Sequence, residues 1–190
     1  SLVVKGAFDE TNLDAGTGDD TFYISSSGGS INSDSYYKAG AGADYVSSSN
    51  IWGGTVFGDT SADDTAGGAD SLMLGTLSKV SVYAAAGADS LSISSATGAS
   101  IYGGTGNDTF SLVNDVAGSS LVETGAGDNR FYAAASYVSS TVTAGAGADT
   151  LTFAAISAST ITGGAGNDTL YASGAIAGGS VLGGTGSDTL

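Results

Sequence analysis

Nine copies of a turn related to Gly-x-Gly-x-Asp recur along this chain, and their spacing dictates how it can fold. We call the last residue of each copy its anchor. Successive anchors are separated by 24, 26, 19, 19, 21, 20, 19 and 20 residues. The anchors are Asp20, Asp44, Asp70, Asp89, Asp108, Asn129, Asp149, Asp168 and Asp188. A period of about 20 residues predicts a solenoid, because each copy is too short to bury its own apolar face and must stack on the next.

Apolar residues recur at fixed offsets from the anchors. The position two residues after the anchor is apolar in every copy, and the position four after it is mostly so. The position seven before it is apolar except at Asp63. An apolar spacing of two is strand periodicity. At the outer turn, further apolar residues are expected to extend the core: Leu77, Val116, Val138, Ile156 and Ile176.

Each unit therefore reads as strand, outer turn, strand and Gly-Asp turn. The sequence predicts an all-β fold, a right-handed parallel β-roll (a β-solenoid) with about 20 residues per coil and two parallel sheets. Residues 1–190 form a single repeat array, interpreted as a fragment of a longer solenoid. Residues 1–70 are its less regular coils with insertions, and residues 71–190 are its regular coils.

The acidic residues are biased towards the shorter side chain. The net charge is −15, and Glu10 and Glu123 are the only glutamates among 19 acids. Stacked coils place equivalent residues about 4.8 Å apart, so neighbouring carboxylates repel by roughly 0.9 kcal/mol even in bulk water. A hard divalent cation between adjacent turns would reverse the sign of this interaction.

Ca²⁺ is the expected ion, because it takes oxygen ligands and the chain has no His or Cys for zinc, copper or iron. The glycines allow a positive φ, which lets carbonyl oxygens turn towards one point. An alternative is a metal-free solenoid in which each Asp bonds its own turn. The predicted metal-binding residues are Gly16, Gly18, Asp20, Gly40, Gly42, Asp44, Gly68, Asp70, Gly87, Asp89, Gly104, Gly106, Asp108, Gly125, Gly127, Asp128, Gly145, Gly147, Asp149, Gly164, Gly166, Asp168, Gly184, Gly186 and Asp188.

Some turns depart from the pattern. Ala66 and Ala85 replace glycines, and Asn129 replaces an anchor Asp with Asp128 beside it. The acidic residues of the second insertion could form an extra site, but an acidic surface loop is the favoured interpretation. They are Asp59, Asp63 and Asp64.

The best copies resemble the nonapeptide Gly-Gly-x-Gly-x-Asp-x-U-x of the RTX (repeats-in-toxin) family, where U is a large aliphatic residue. They begin at Gly103, Gly163 and Gly183. The resemblance implies Ca²⁺ held between successive coils, and export from a bacterium followed by folding in calcium-rich surroundings. RTX β-rolls usually carry two calcium turns per coil. Here the opposite turn lacks Asp, so we expect calcium along one edge only.

The residue inventory also limits the function. Without His or Cys there is no Ser-His or Cys-His pair, so the segment is not expected to be an enzyme. Four scattered bases argue against nucleic acid, and no apolar run is long enough for membrane insertion.

Three uses remain open for such an array. The favoured one is a structural rod in an extracellular surface-layer protein, filament or adhesin, with self-association or neighbouring domains of the same protein as partners. Outward residues suited to such packing are Tyr23, Tyr45, Met73, Arg130, Tyr132 and Tyr171. The alternative is a folding and secretion module of an exported hydrolase or toxin. Ice binding by the Thr141-Val-Thr143 and Thr160-Ile-Thr162 segments is less favoured.

Overall fold

A computed structural model describes residues 2–5, 12–25, 35–60 and 67–190, which form twenty β-strands. The strands are β1 (Leu2–Lys5), β2 (Asn12–Asp14), β3 (Thr21–Ser25), β4 (Tyr36–Lys38), β5 (Tyr45–Trp52), β6 (Thr55–Phe57), β7 (Ser71–Ser78), β8 (Ser81–Ala86), β9 (Ser90–Thr97), β10 (Ser100–Thr105), β11 (Thr109–Leu112), β12 (Val116–Ala117), β13 (Leu121–Ala126), β14 (Arg130–Val138), β15 (Thr141–Ala146), β16 (Thr150–Ser157), β17 (Thr160–Ala165), β18 (Thr169–Ala172), β19 (Ile176–Ala177) and β20 (Ser180–Thr185). Over the described ranges, no helix has the length and apolar character needed to cross a membrane.

Successive strands of the chain alternate between two parallel sheets, except that β12 and β19 lie in the same sheet as the strands before them. One sheet has eleven strands in the order β1-β3-β5-β7-β9-β11-β14-β16-β18, with β12 and β19 paired beside that path. The other has nine strands in the order β2-β4-β6-β8-β10-β13-β15-β17-β20. Each coil thus contributes to both sheets and pairs only with the coils before and after it. This confirms the predicted parallel β-solenoid of about 20 residues per coil.

The predicted apolar columns form the core between the sheets. Phe22, Val46, Leu72, Leu91 and Phe110 are buried in register two residues after their anchors. The sequence predicts that Asp63 interrupts the apolar column that lies seven residues before the anchors. In the structure this column is continuous, because another residue of the same coil takes the inward position. Val56 pairs with Tyr37 on one side and Val82 on the other, and it is fully buried.

The insertion explains this shift. The extra residues of that coil follow β6 and precede Asp70, so counting seven back from the anchor lands in the insertion. Asp63 itself lies outside the described residues, as do Asp64 and Ala66.

The core at the outer turn also differs from the prediction at one coil. Leu77, Val116 and Ile156 are buried as expected, but Tyr137 takes the inward position instead of Val138. The register of β14 against β16 shifts between Ala133 and Ser136, which marks a β-bulge. Because side chains alternate along a strand, one extra residue exchanges the inward and outward sets. Ile176, also expected in this core, is 52% exposed.

The two sheets join along two edges. The acidic edge is the row of Gly-Asp turns that lead from the nine-stranded sheet into the eleven-stranded sheet. The serine edge is the opposite row, whose turns include Ser119–Ser120 and Ser139–Ser140. All anchors lie on the acidic edge, so the fold brings the nine predicted turns into one line.

Candidate metal centre

The anchor side chains point into the turns of the acidic edge. Asp70, Asp89, Asp108, Asp149 and Asp168 are each at most 2% exposed, although carboxylates rarely leave water completely. Asp44 is buried as well, whereas Asp20 and Asp188 are partly exposed. The column of like charges expected from the repeat is therefore a buried column.

One oxygen of each anchor side chain is held by the neighbouring coil. In every successive pair from Asp20 to Asp188, the backbone N–H of the earlier anchor donates to Oδ1 of the later one, at 2.6–3.0 Å. These eight bonds form an unbroken ladder along the axis. The bond crosses between coils, which differs from the metal-free alternative in which each Asp bonds its own turn.

The second oxygen is the unusual one. Among the described residues, Oδ2 is buried without a hydrogen-bond partner in six anchors: Asp44, Asp70, Asp89, Asp108, Asp149 and Asp168. A buried polar atom without a partner costs roughly 1–3 kcal/mol, and more when it is charged. Such a column is stable only if each carboxyl is protonated or if a cation binds there.

The pKa values of these carboxyls also show that burial disfavours their charged form. Burial, with smaller contributions from Asp89, Asp59 and Asp44, raises the pKa of Asp70 to about 8. Burial likewise raises the pKa of Asp89 to about 7 and that of Asp108 to about 6. The N–H bond to Oδ1 opposes these shifts without cancelling them. At neutral pH these anchor carboxyls therefore either hold a proton or need a bound cation to balance their buried charge.

Seven of the turns have two predicted glycines with positive φ, as at Gly104 (+103°) and Gly106 (+126°). The turn at Asp89 has one, Gly87, and the predicted Gly68 in the turn at Asp70 does not have a positive φ. A Cβ built on Gly125 or Gly127 would overlap the carbonyl oxygen of Gly104 or Gly106 in the preceding coil. The close stacking of the turns is therefore sufficient to require glycine at these positions, without any role in binding a cation. That the carbonyls of these turns also face a cation stays a prediction.

Asp128 does not occupy the anchor column. It is exposed, and its Oδ1 accepts the N–H of Ala148 in the next coil at 2.8 Å. Asp19, Asn107 and Asn167 make the same bond to the next coil. This outer ladder runs in the opposite direction to the anchor ladder, and Asn129 is the residue that fills the inward position.

The turn before Asp70 contains a residue whose role the sequence did not reveal. Asp59 is fully buried, and its carboxylate accepts the N–H of Gly68 at 3.2 Å and that of Ala86 at 3.0 Å. The interpretation of Asp59 as part of an acidic surface loop is therefore wrong. Its carboxylate thus links Gly68 of its own coil to Ala86 of the next coil. Its place directly after Gly58, where the three best copies have Gly-Gly, was the available signal.

Ala85, the other departure, keeps the turn conformation of a glycine. Its φ is +81° and it is 4% exposed. The coil before it has Asp59 at the corresponding position, so the glycine stacking seen in the regular coils is already interrupted there.

The serine edge provides an internal comparison with the acidic edge. The hydroxyls of Ser120, Ser140 and Ser159 each accept the N–H of the equivalent residue in the preceding coil, at 3.1–3.2 Å. Each also donates to a carbonyl of its own turn at 2.8–2.9 Å. A hydroxyl is neutral and both accepts and donates, so this edge is satisfied without an ion.

The candidate ligands must include backbone oxygens. Across the described residues, no three side chains of His, Cys, Asp or Glu converge as a metal-binding group. A cation at the acidic edge would therefore combine anchor carboxylates with carbonyls of the glycine turns, which are ligands that Ca²⁺ accepts. The fold and this edge together define a parallel β-solenoid with a buried carboxylate ladder.

Comparison with known families agrees with this description. The family model of the RTX calcium-binding nonapeptide repeat matches the chain in four copies, over residues 100–112 and 157–175. These two segments therefore carry RTX calcium-binding nonapeptide repeats, and they include the turns that end at Asp108 and Asp168. Comparison with curated proteins and with solved structures gives no match.

Proposed function

We infer that this chain is a calcium-binding structural rod of a secreted bacterial cell-surface protein, which folds when it meets Ca²⁺ outside the cell. RTX nonapeptide repeats bind calcium and are typical of secreted bacterial proteins. The observation that carries the proposal is the column of six buried anchor oxygens without a partner among the described residues. The proposal assigns no catalytic role to the segment.

The residues proposed to hold the ions are the predicted set along the acidic edge, apart from the turn that contains Gly125, Gly127 and the outward Asp128. The anchors from Asp20 to Asp188 would supply carboxylate oxygens, and the glycine turns would supply carbonyl oxygens. Bound Ca²⁺ would supply positive charge and oxygen coordination where the chain offers only acceptors. Because the anchor carboxyls lose their hydration on folding, the gain from Ca²⁺ is coupled to formation of the solenoid.

Calcium-dependent folding can be tested by far-UV circular dichroism. The chain is stripped of metal, then titrated with Ca²⁺ and separately with Mg²⁺ at pH 7.5. We expect β-structure to appear or to gain thermal stability with Ca²⁺ and far less with Mg²⁺, which retains its waters more strongly. An identical signal and melting temperature with and without Ca²⁺ would refute the proposal.

A matched pair of variants locates the effect on the anchors. Asp89→Asn and Asp108→Asn together keep the Oδ1 acceptor, as Asn129 does, but remove two buried charges. We expect this double variant to bind fewer ions and to depend less on Ca²⁺. The control is Asp115→Asn on an exposed outer turn, which removes charge away from the anchors.

Assembly into a surface layer or filament is supported by the outward faces of the eleven-stranded sheet. Tyr23, Met73, Tyr132 and Tyr171 are 46–59% exposed there. Aromatic residues on an exposed sheet face suit packing against a neighbouring domain or a second copy. Sedimentation velocity in Ca²⁺ should show self-association that Tyr132→Ser/Tyr171→Ser weakens; a strictly monomeric chain at high concentration would contradict self-association.

A further inference from the structure

The turn at Asn129 differs from the six turns with a buried aspartate anchor in how its side chain is satisfied. Oδ1 of Asn129 accepts the N–H of Asp108 at 2.9 Å, so it keeps its place in the anchor ladder. Its Nδ2 donates to the carbonyl oxygen of Gly127 in its own turn at 3.0 Å. In six aspartate anchors the corresponding atom, Oδ2, finds no hydrogen-bond partner within the described part of the chain.

A second departure falls in the same turn. The residue five before the anchor is Thr124, whereas the corresponding residue in the coils on either side is Gly103 or Ala144. Thr124 is fully buried, and its hydroxyl donates to the carbonyl oxygen of Ala144 in the next coil at 2.7 Å. The turn therefore has two buried side-chain donors, and both bond backbone carbonyls.

These two donors offer partially positive hydrogen atoms to buried oxygens, whereas in the other turns a cation would supply the positive charge. Asn has nearly the shape of Asp but is neutral, and its amide both accepts and donates. The Asn129 side chain thus bonds the preceding coil and its own turn, while Thr124 bonds the following coil. The exposed Asp128 cannot restore the missing charge inside the turn, because its Oδ1 is turned outward to Ala148.

The core beside this turn is also reinforced. Phe131, two residues after Asn129, has its ring centroid 6.3 Å from Phe110, 6.0 Å from Tyr137 and 5.2 Å from Phe153. Aromatic pairs at such distances stabilise a core beyond the area that they bury. This coil thus has a source of stability that does not depend on metal.

We propose that the Thr124–Asn129 turn is a cation-free joint, in which two side-chain donors replace calcium and divide the ion ladder into two blocks. The first block comprises the anchors from Asp20 to Asp108, and the second those from Asp149 to Asp188. This inference rests on the proposed calcium binding of the other turns. The joint holds adjacent coils together before calcium arrives.

The first test converts the joint into an ordinary turn. Thr124→Ala/Asn129→Asp restores the residues of the neighbouring coil, and calcium is counted by equilibrium dialysis with radioactive Ca²⁺. We expect one or two more ions per chain than in the wild type, and a melting temperature in chelator lower by about 5 °C or more. An unchanged ion count together with an unchanged melting temperature in chelator would overturn the proposal.

A reciprocal variant tests the proposal even if Thr124→Ala/Asn129→Asp fails to fold. Ala144→Thr/Asp149→Asn copies the joint into the next coil. We expect it to lose one or two ions and to melt at a higher temperature than the wild type in chelator. If it bound as many ions as the wild type, the two donors would not replace calcium.

Hydrogen exchange of the wild-type chain in chelator gives a third readout. We expect amides of β13 and β14 to exchange more slowly than those of β9 and β17, because the joint keeps its bonds without metal. Faster exchange at the joint would contradict the proposal. A wild-type chain that binds no Ca²⁺ would instead remove the proposed function, so the two failures are distinguishable.

Discussion

The metal-free solenoid should lose stability as the pH rises from 5 to 8. Burial places the pKa of Asp89 at about 7, against an ordinary value of 3.8. The folded state therefore binds more protons than the unfolded state in this range, and the free energy of unfolding must fall with rising pH. This contribution is fully present below the unfolded pKa and is lost as the pH rises through the folded pKa.

The magnitude follows from the size of the shift. One pKa unit corresponds to about 1.4 kcal/mol, so the two units between pH 5 and the pKa of Asp89 amount to roughly 3 kcal/mol. Asp70, with a pKa of about 8, and Asp108, with one of about 6, change stability in the same direction. We therefore expect a loss of at least about 3 kcal/mol, which is a large part of the stability of a typical domain.

The assay is urea unfolding, followed by circular dichroism, of protein stripped on a chelating resin and measured at pH 5 and pH 8. Saturating Ca²⁺ should reverse the trend, because protons then compete with the bound ion. Asp89→Asn should flatten the dependence in the stripped protein, because it removes this titrating carboxyl. Stability of the stripped protein that stays constant or rises towards pH 8 would refute this reasoning.

Three further predictions concern the backbone of the turns, each measured by urea unfolding in Ca²⁺. Ala158→Gly should stabilise the chain by about 0.5–1 kcal/mol, because Ala158 has a φ of +49° that glycine adopts more easily; a loss of stability would contradict this. Gly145→Ala should cost about 2–4 kcal/mol, since its Cβ would overlap the carbonyl of Gly125, while Gly178→Ala, with open space around it, should cost only about 1 kcal/mol; equal costs would exclude the stacking argument. Ser140→Ala should cost about 1–3 kcal/mol in Ca²⁺ and in chelator alike, because a backbone N–H loses its acceptor on the serine edge; a cost confined to Ca²⁺ would show that this edge also depends on the ion.

Most of the fold could be predicted because the spacing of the repeat determines which residues stack on one another. An apolar residue two after each anchor can face only one way in a stacked strand, so the register of the eleven-stranded sheet follows from counting. Counting fails where residues are added inside a coil. Val56 replaces Asp63 in the core column because of an insertion, and Tyr137 replaces Val138 because of a bulge. An extra residue is visible in the spacing, but its place within the coil is decided by packing.

The candidate site was predictable to a similar degree. The anchor column and the glycine positions follow from the motif, and the structure brings them to one edge. The roles of Asp59 and Thr124 could not be read from the motif, because both residues depart from it. Their functions come from contacts with neighbouring coils, at Ala86 and Ala144. Which of the predicted residues bind ions stays a prediction that the ion counts above address.

The difference between the two edges has a mechanical consequence. We expect the serine edge to keep its length when the calcium concentration changes, because its bonds at Ser120, Ser140 and Ser159 involve neutral hydroxyls. When ions leave at a pH that ionises its buried carboxyls, the acidic edge would expand along the axis, because the carboxylates then repel one another. A rod that lengthens on one side only must curve, with the acidic edge on the convex side. We therefore expect a change in calcium concentration to bend such an array in one fixed direction.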